Sequence, residues 1–334
     1  MKLNQLNKSN QSNQPSRLVL GTAQLGMDYG IANTYGQPDL PTVRSIIQEV
    51  WGNGIREFDT APAYGESEQI LGKVLQDLGI VDEARIITKF DPTLDHLNKA
   101  ALLKALETSM DNLGVESLYG LMLHREDMLD LWEKGLGENL MAIVSSGRVE
   151  HIGVSVYSPG KAIQALNTEG ISMVQLPTNI LDRRFEKSGV FDLAENAGKK
   201  IYIRSIFLQG LLLMSPDTLP EHMRFAAPIL NRLTSFVRDA GLNIKELCIG
   251  YIKNAFPHSR LVFGAETQAQ VKENLKCWDS SWPGELTQQI QAAFENVDEI
   301  ILNTALWPKV FANTRRIRWL SSLTVSFLSV LKVQ

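Results

Sequence analysis

An acid and a tyrosine stand close together in the run Phe58-Asp59-Thr60-Ala61-Pro62-Ala63-Tyr64-Gly65. Lys89 and His124 follow at the ends of two later apolar runs. A lone loop tyrosine ordinarily packs, and a lone histidine is ordinarily a satisfied side chain. Four ionisable groups arriving at adjacent strand ends weaken both readings. Together they suit proton donation to a carbonyl oxygen. A free phenol, with a pKa of about 10, is too weak an acid near neutrality. An ammonium beside it favours the phenolate and makes the proton easier to give. That ammonium, once buried, needs a partner, and Asp59 supplies the charge. His124 can hydrogen-bond the carbonyl oxygen and orient it. None of the four is a reductant, so the set requires a hydride donor that the protein positions.

Strand ends meet in an α/β barrel, and the chain alternates in the way such a barrel needs. Short apolar runs at 18–20, 55–58, 85–88, 118–123, 151–154, 172–176, 200–203 and 260–263 read as strands. Helical periodicity follows each. Pro41 opens the first helix, and Gly52 and Gly54 close it. Others are expected at 66–78, 99–113, 128–146 (broken), 159–167, 185–197, 227–240, 244–254 and 267–277. Eight strand–helix units without a Pro/Ser-rich joint predict one (β/α)8 TIM barrel with extra C-terminal helices, rather than two α/β domains. The barrel is placed at 17–308. The polar stretch 1–16 reads as a disordered tail without the apolar core of a secretory signal.

Composition narrows the class. The chain has 334 residues, 44% hydrophobic and 21% charged, with net charge −4. These are globular values, and no basic footprint for nucleic acid is present. Cys248 and Cys277 cannot make a disulfide framework and read as buried thiols in a reducing cytoplasm. The histidines show no metal-ligand spacing, so no metal is expected.

The ordered motifs resemble the aldo-keto reductase family. The resemblance is carried by Gly21-Thr22-Ala23, the segment 58–65, Thr88-Lys89, Leu123-His124, Gly153-Val154-Ser155, Gln175, and Gly264 through Glu273-Asn274. It covers about residues 17 to 305. It implies a (β/α)8 barrel that reduces aldehydes or ketones to alcohols, with NADPH as the usual hydride donor. The catalytic tetrad carries over as Asp59, Tyr64, Lys89 and His124, with Tyr64 the proton donor. The opening 21–30 also resembles a bacterial branch found with surface-polysaccharide and sugar-nucleotide biosynthesis.

The same resemblance assigns the cofactor site to Gly21, Thr22, Ala23, Ser155, Gln175, Arg204, Ser205, Gly264, Gln270, Glu273 and Asn274. Ser155 and Gln175 match contacts to the nicotinamide carboxamide, with Asn179 a nearby polar contact. Arg204 stands where an aromatic residue commonly stacks on the nicotinamide; it could stack there or form a rim salt bridge. Glu273 and Asn274 match the pair that grips the adenine end. Gly264, Ala265 and Gln270 occupy the places of the Lys, Ser and Arg that clamp the 2′-phosphate, which opens the site to NADH. Lys272, Lys276 and Lys253 are the candidate substitutes. Asp28, Tyr29 and Gln209 are expected to line the substrate site.

The likeness fades after Trp307-Pro308. Arg315-Arg316-Ile317-Arg318 precedes thirteen mostly apolar residues, 319–331, too few to span a membrane, which takes about 20. This extension, 309–334, is read as a loosely packed or disordered tail, with a weak amphipathic surface anchor as the sharper alternative. The sequence thus predicts a cytoplasmic, NAD(P)H-dependent reductase of a small carbonyl substrate. The alternative is a non-catalytic barrel that binds a nicotinamide nucleotide and reports redox state to a partner.

Overall fold

The computed structural model describes residues 16–308, so the expected tails lie outside the described residues, except Ser16. Eight strands form a closed barrel: β1 Leu18–Gly21, β2 Glu57–Asp59, β3 Arg85–Phe90, β4 Leu118–Leu123, β5 Val149–Ser155, β6 Ile171–Pro177, β7 Lys200–Arg204 and β8 Arg260–Phe263. Each pairs in parallel with the next, and β8 closes on β1 through Leu18↔Leu261. The strands are aliphatic-rich because both faces are covered, inward by other strands and outward by helices.

Successive strand residues face opposite sides, so positions two apart share the barrel interior. Val19, Ile87, Met122, Met173, Tyr202 and Val262 form the inner apolar cluster. Two residues further on come Gly21, Lys89, His124, Gln175, Arg204 and Gly264, at the C-terminal mouth. The register of the barrel therefore makes the mouth a ring of functional candidates on an apolar plug. Glycines make room in the plug: a Cβ at Gly153 would stand 2.9 Å from Met173 Cβ. The opposite end is polar. Glu57 there accepts hydrogen bonds from the Tyr202 hydroxyl and Arg260 Nε, both at 2.9 Å.

The outer helices follow the expected periodicity, with local differences. Helix Lys99–Leu113 starts where Asn98 accepts from the Ala101 amide. The broken helix is a 3-10 stretch Glu126–Lys134 and a helix Leu136–Ser145, divided at Gly135 with φ 109°. The segment 185–197 divides at Gly189, φ 74°, into Arg184–Lys187 and Val190–Asn196. After β7 the chain makes three 3-10 turns, Leu208–Leu213, Pro216–Thr218 and Glu221–Ala226, before helix Ala227–Ala240. Pro216 and Pro220 prevent a longer helix there. Helices Leu286–Ala293 and Glu299–Leu302 follow the last barrel helix, Gln268–Asp279. Cys248 and Cys277 are both buried. Among the described residues no helix is long and apolar enough to cross a membrane.

Candidate active site

Asp59 is the last residue of β2, and Lys89 lies one residue inside the end of β3. Lys89 Nζ donates to Asp59 Oδ1 at 2.8 Å and to the Thr60 carbonyl at 2.9 Å. The ammonium also sits 5.0 Å from the centroid of the Tyr64 ring. His124 meets that ring edge-on, with centroids 5.8 Å apart. The four residues expected to act together therefore converge. Gln175 Nε2 donates to the same Asp59 Oδ1 at 2.8 Å, so its amide nitrogen is engaged within the site. Ser155 is buried beside it across the β5–β6 register. Asn179 is buried, with Nδ2 on the Ser205 carbonyl at 3.4 Å.

The loop carrying Tyr64 is held from below. Thr22 donates from both its amide and its hydroxyl to the Asp59 carbonyl, each at 2.9 Å. The Ser67 hydroxyl lies 2.7 Å from that of Thr22 and 3.0 Å from that of Thr60. Buried hydroxyls in mutual contact fix the backbone on both sides of the acid.

Burial opposes the Lys89 charge, but Asp59 and the Tyr64 phenol outweigh it, and the pKa is raised. The Tyr64 phenol is also raised: burial pushes it up, Lys89 pulls it down by less, Asp59 adds to the rise and Arg204 opposes it. Lys89 thus acts in the expected sense, but the net direction is the reverse of an acidified phenol, because desolvation of the phenolate is the larger effect. A phenol kept protonated at neutral pH is the form a proton donor needs. Burial, with Lys89 next, lowers His124 to about 4, so its ring is neutral near pH 7. Its Nδ1 is buried without a partner among the described residues.

One cleft runs from Asp59 and Tyr64 along the mouth to Asn274. Gly21, Thr22, Ala23, Arg204, Ser205, Gly264 and Gln270 all line it. Tyr29 and Gln209 line it too, whereas Asp28 is exposed outside it, a departure from expectation. The wall on the β7 side is strained. Ser205, Leu208 and Gln209 have φ of 61°, 51° and 55°. The wall is anchored where the Ile31 amide donates to the Gln209 carbonyl at 2.9 Å.

Among the described residues Arg204 makes no salt bridge. Its guanidinium lies 4.4 Å from the Tyr157 ring centroid and donates to Ser205 Oγ at 3.2 Å. Tyr157, unremarked in sequence, is thereby part of the mouth.

At the far end, a Cβ on Gly264 would fall 2.2 Å from Gln24 Nε2, so Gln24 covers that position. Gln270 Oε1 accepts from the Glu266 amide at 2.7 Å. None of Lys253, Lys272 and Lys276 lines the cleft. Lys272 instead reaches Glu49 at 3.7 Å, and Lys253 donates to the Trp278 carbonyl. At this end of the cleft the lining cation is Lys245, paired with Glu273. Of the two lysines on the preceding helix, the sequence pointed to Lys253, at its far end, and not to Lys245 at its start. The available signal was its place at the start of the preceding helix, which returns to the same end of the barrel.

Comparison with known proteins agrees with this geometry. Residues 17–295 match the family model described as Aldo/keto reductase family. Aldo-keto reductase YhdN of Bacillus subtilis (strain 168) is 28% identical over 183 residues, 52% of this chain and 54% of that protein. The chain thus matches about half the length of that relative. L-glyceraldehyde 3-phosphate reductase of Escherichia coli (strain K12) is 24% identical over 290 residues, 75% of this chain and 83% of that one. The solved holo form of an aldo-keto reductase from Bacillus halodurans superposes with a TM-score of 0.68 at 25% identity, covering 84% of this chain and 92% of its own.

Proposed function

The chain belongs to the aldo/keto reductase family, and we propose that it reduces an aldehyde or ketone to an alcohol with NAD(P)H. The observation that carries this reading is the buried Lys89 ammonium between the Asp59 carboxylate and the Tyr64 ring. A protein that only binds a nucleotide has no need of an ammonium facing a phenol, which argues against the redox-reporting alternative.

The cleft fits a nicotinamide nucleotide. Its near end is walled by small residues, and its far end presents Asn274 Oδ1, buried and without a partner among the described residues. Bound there, the nucleotide supplies the hydride. In this reading Ser155, Asn179 and Gln175 would hold the carboxamide, and Arg204 would flank the ring. Gly21, Thr22, Ala23 and Ser205 give it backbone room. Gly264, Gln270 and Asn274, which line the cleft, would surround the adenine end, with Glu273 beside them outside the lining.

Tyr64 gives its proton to the carbonyl oxygen as the alcohol forms. Lys89 stabilises the phenolate left behind, and Asp59 keeps Lys89 charged. Neutral His124 orients the oxygen by a hydrogen bond without adding a further positive charge.

Tyr29 and Gln209 at the mouth suit a polar, oxygenated substrate such as a sugar derivative. The relative that reduces L-glyceraldehyde 3-phosphate is consistent with that class. With no cation at 264 or 270, NADPH should exceed NADH by less than about 20-fold in kcat/KM, roughly 1.8 kcal/mol. Buried thiols and the modest negative charge suit a cytoplasmic enzyme without nucleic-acid partners.

Tyr64→Phe removes only the hydroxyl and tests the assignment. Nucleotide binding should survive while turnover of a generic aldehyde such as 4-nitrobenzaldehyde falls by about 10² or more. A Phe variant at near wild-type rate would overturn the role of Tyr64. A wild type that binds the nucleotide but turns over no aldehyde would favour the redox-reporting alternative.

A further inference from the structure

Arg204 ends β7 and lines the cleft together with Asp59 and Tyr64. Its guanidinium lies against the ring of Tyr157, a residue that is 47% exposed. A guanidinium has five N–H donors. Two are engaged, one on Ser205 Oγ at 3.2 Å and one weakly on the Val156 carbonyl at 3.5 Å. The carboxylates on the adjoining elements are committed elsewhere. Asp59 holds Lys89, and Asp91 accepts from the Thr93 amide and hydroxyl. Glu126 accepts from the amides of Tyr157 at 2.6 Å and Ser158 at 2.9 Å, so it fixes the turn that presents Tyr157 to Arg204. Lys89 and Asp59 cancel, and His124 is neutral near pH 7. Among the described residues, one positive charge, that of Arg204, is therefore left beside the proton donor. It is close enough to oppose the rise of the Tyr64 pKa and to add to the fall of the His124 pKa. An uncompensated cation in a concave site draws anions to it.

We propose that Arg204 selects carbonyl substrates that carry an anionic group, a carboxylate or a phosphate. The inference rests on the reading of the cleft as a site of nicotinamide-dependent carbonyl reduction. A planar guanidinium pairs with either anion through two parallel N–H···O bonds. Stacking on Tyr157 sets the plane of that fork before substrate arrives, so little side-chain freedom is lost on binding. A neutral aldehyde offers nothing to compensate the charge. Tyr29 and Gln209, on the same cleft, suit the remaining hydroxyls of an acidic sugar derivative. An arginine that only flanked the nicotinamide would treat charged and neutral substrates alike.

That difference is measurable. 4-Formylbenzoate and 4-nitrobenzaldehyde have nearly the same shape and differ in charge. Glyceraldehyde 3-phosphate and glyceraldehyde make a second pair, so carboxylate and phosphate recognition are separated. The charged-to-neutral ratio of kcat/KM at saturating nucleotide is compared in wild type, Arg204→Met, Arg204→Lys and Tyr157→Leu. Intrinsic reactivity and any change in nucleotide affinity fall on both members of a pair and cancel in that comparison. Arg204→Met should lower the ratio by about tenfold or more in at least one pair, the weight of one charged hydrogen bond, chiefly through KM. Arg204→Lys keeps the charge without the fork and should lose less. Tyr157→Leu frees the fork and should lower the ratio by about threefold. Should Arg204→Met fail to fold, the other two variants decide by the same ratio. Calorimetric binding of 4-(hydroxymethyl)benzoate to the complex with oxidised nucleotide should weaken in step, a readout without turnover. If the wild type reduces the neutral aldehydes and the variants move neither ratio, this inference alone fails. If the wild type binds the nucleotide but reduces none of the four compounds, the reading of the site fails and takes the inference with it.

Discussion

Lys89 keeps its charge against burial because two neighbours, Asp59 and the Tyr64 phenol, raise its pKa. A raised lysine pKa stabilises the fold fully at neutral pH, and that contribution is lost only as pH rises through the folded value. Lys89→Met leaves Asp59 as a buried carboxylate with the neutral Gln175 amide as its side-chain donor. Urea unfolding should then show a loss of about 3 kcal/mol, and carbonyl reduction should collapse. An active, equally stable Met variant would mean the pair is peripheral. His124 gives a pH signature. Unfolded, it takes a proton near its ordinary 6.5; folded, not until about 4. The folded state therefore binds fewer protons in that window, and acidification through it lowers stability. The kcat/KM profile should show no His124 inflection near neutrality. His124→Gln should lose less stability than wild type between about pH 7 and pH 4.5. Equal losses in the two proteins would show that His124 is not held neutral.

The loop that carries Tyr64 depends on two glycines in different elements. Gly65 has φ 61°, and a Cβ there would stand 2.3 Å from the Gly26 carbonyl oxygen. A Cβ on Gly26 would stand 2.0 Å from the Tyr64 carbonyl oxygen. The helical turn Ala23–Gly26 after β1 and the loop after β2 thus touch backbone to backbone. Gly65→Ala must push them apart. It should cost about 1–3 kcal/mol for the left-handed conformation alone. Displacing Tyr64 by even 1 Å should lower kcat by about 10²-fold. Wild-type kcat at saturating nucleotide in the Ala variant would show that this contact does not position the tyrosine. The opposite wall uses the same left-handed conformation without glycine at Ser205, Leu208 and Gln209. Such strain persists only where surrounding contacts hold it, here the Ile31 to Gln209 bond.

The whole barrel divides its labour between its ends. The mouth carries the candidate chemistry, and the floor carries Glu57, Tyr202 and Arg260 from β2, β7 and β8. Arg85 on β3 reaches the same carboxylate at 3.7 Å. This acid ties β2 to β7 and β8, which are not its neighbours in the sheet. Glu57→Gln leaves Arg260 without its carboxylate, and the protein should lose about 3 kcal/mol. Activity of the folded fraction should stay within about twofold of wild type, since the bottom of such a barrel serves stability rather than chemistry. A stable but inactive Gln variant would show that the floor and mouth are coupled.

Much of this was legible along the chain. The alternation of apolar runs with helical periodicity is local, so it showed eight strand–helix units, and parallel topology carried Asp59, Lys89 and His124 to one rim. The boundaries of helices 99–113 and 159–167 were legible for the same reason, since caps and periodicity act over a few residues. The strained wall after β7 was not, because no glycine stands at 205, 208 or 209 to announce its backbone. Nor could the chain order show that Gln24 covers Gly264, that Arg204 lies on Tyr157, or that Lys245 rather than Lys272 reaches the cleft. The direction of the Tyr64 pKa likewise depends on burial summed against Lys89, Asp59 and Arg204. Secondary structure answers to neighbours in sequence; charge pairing and desolvation answer to distances through space, which only the closed barrel determines.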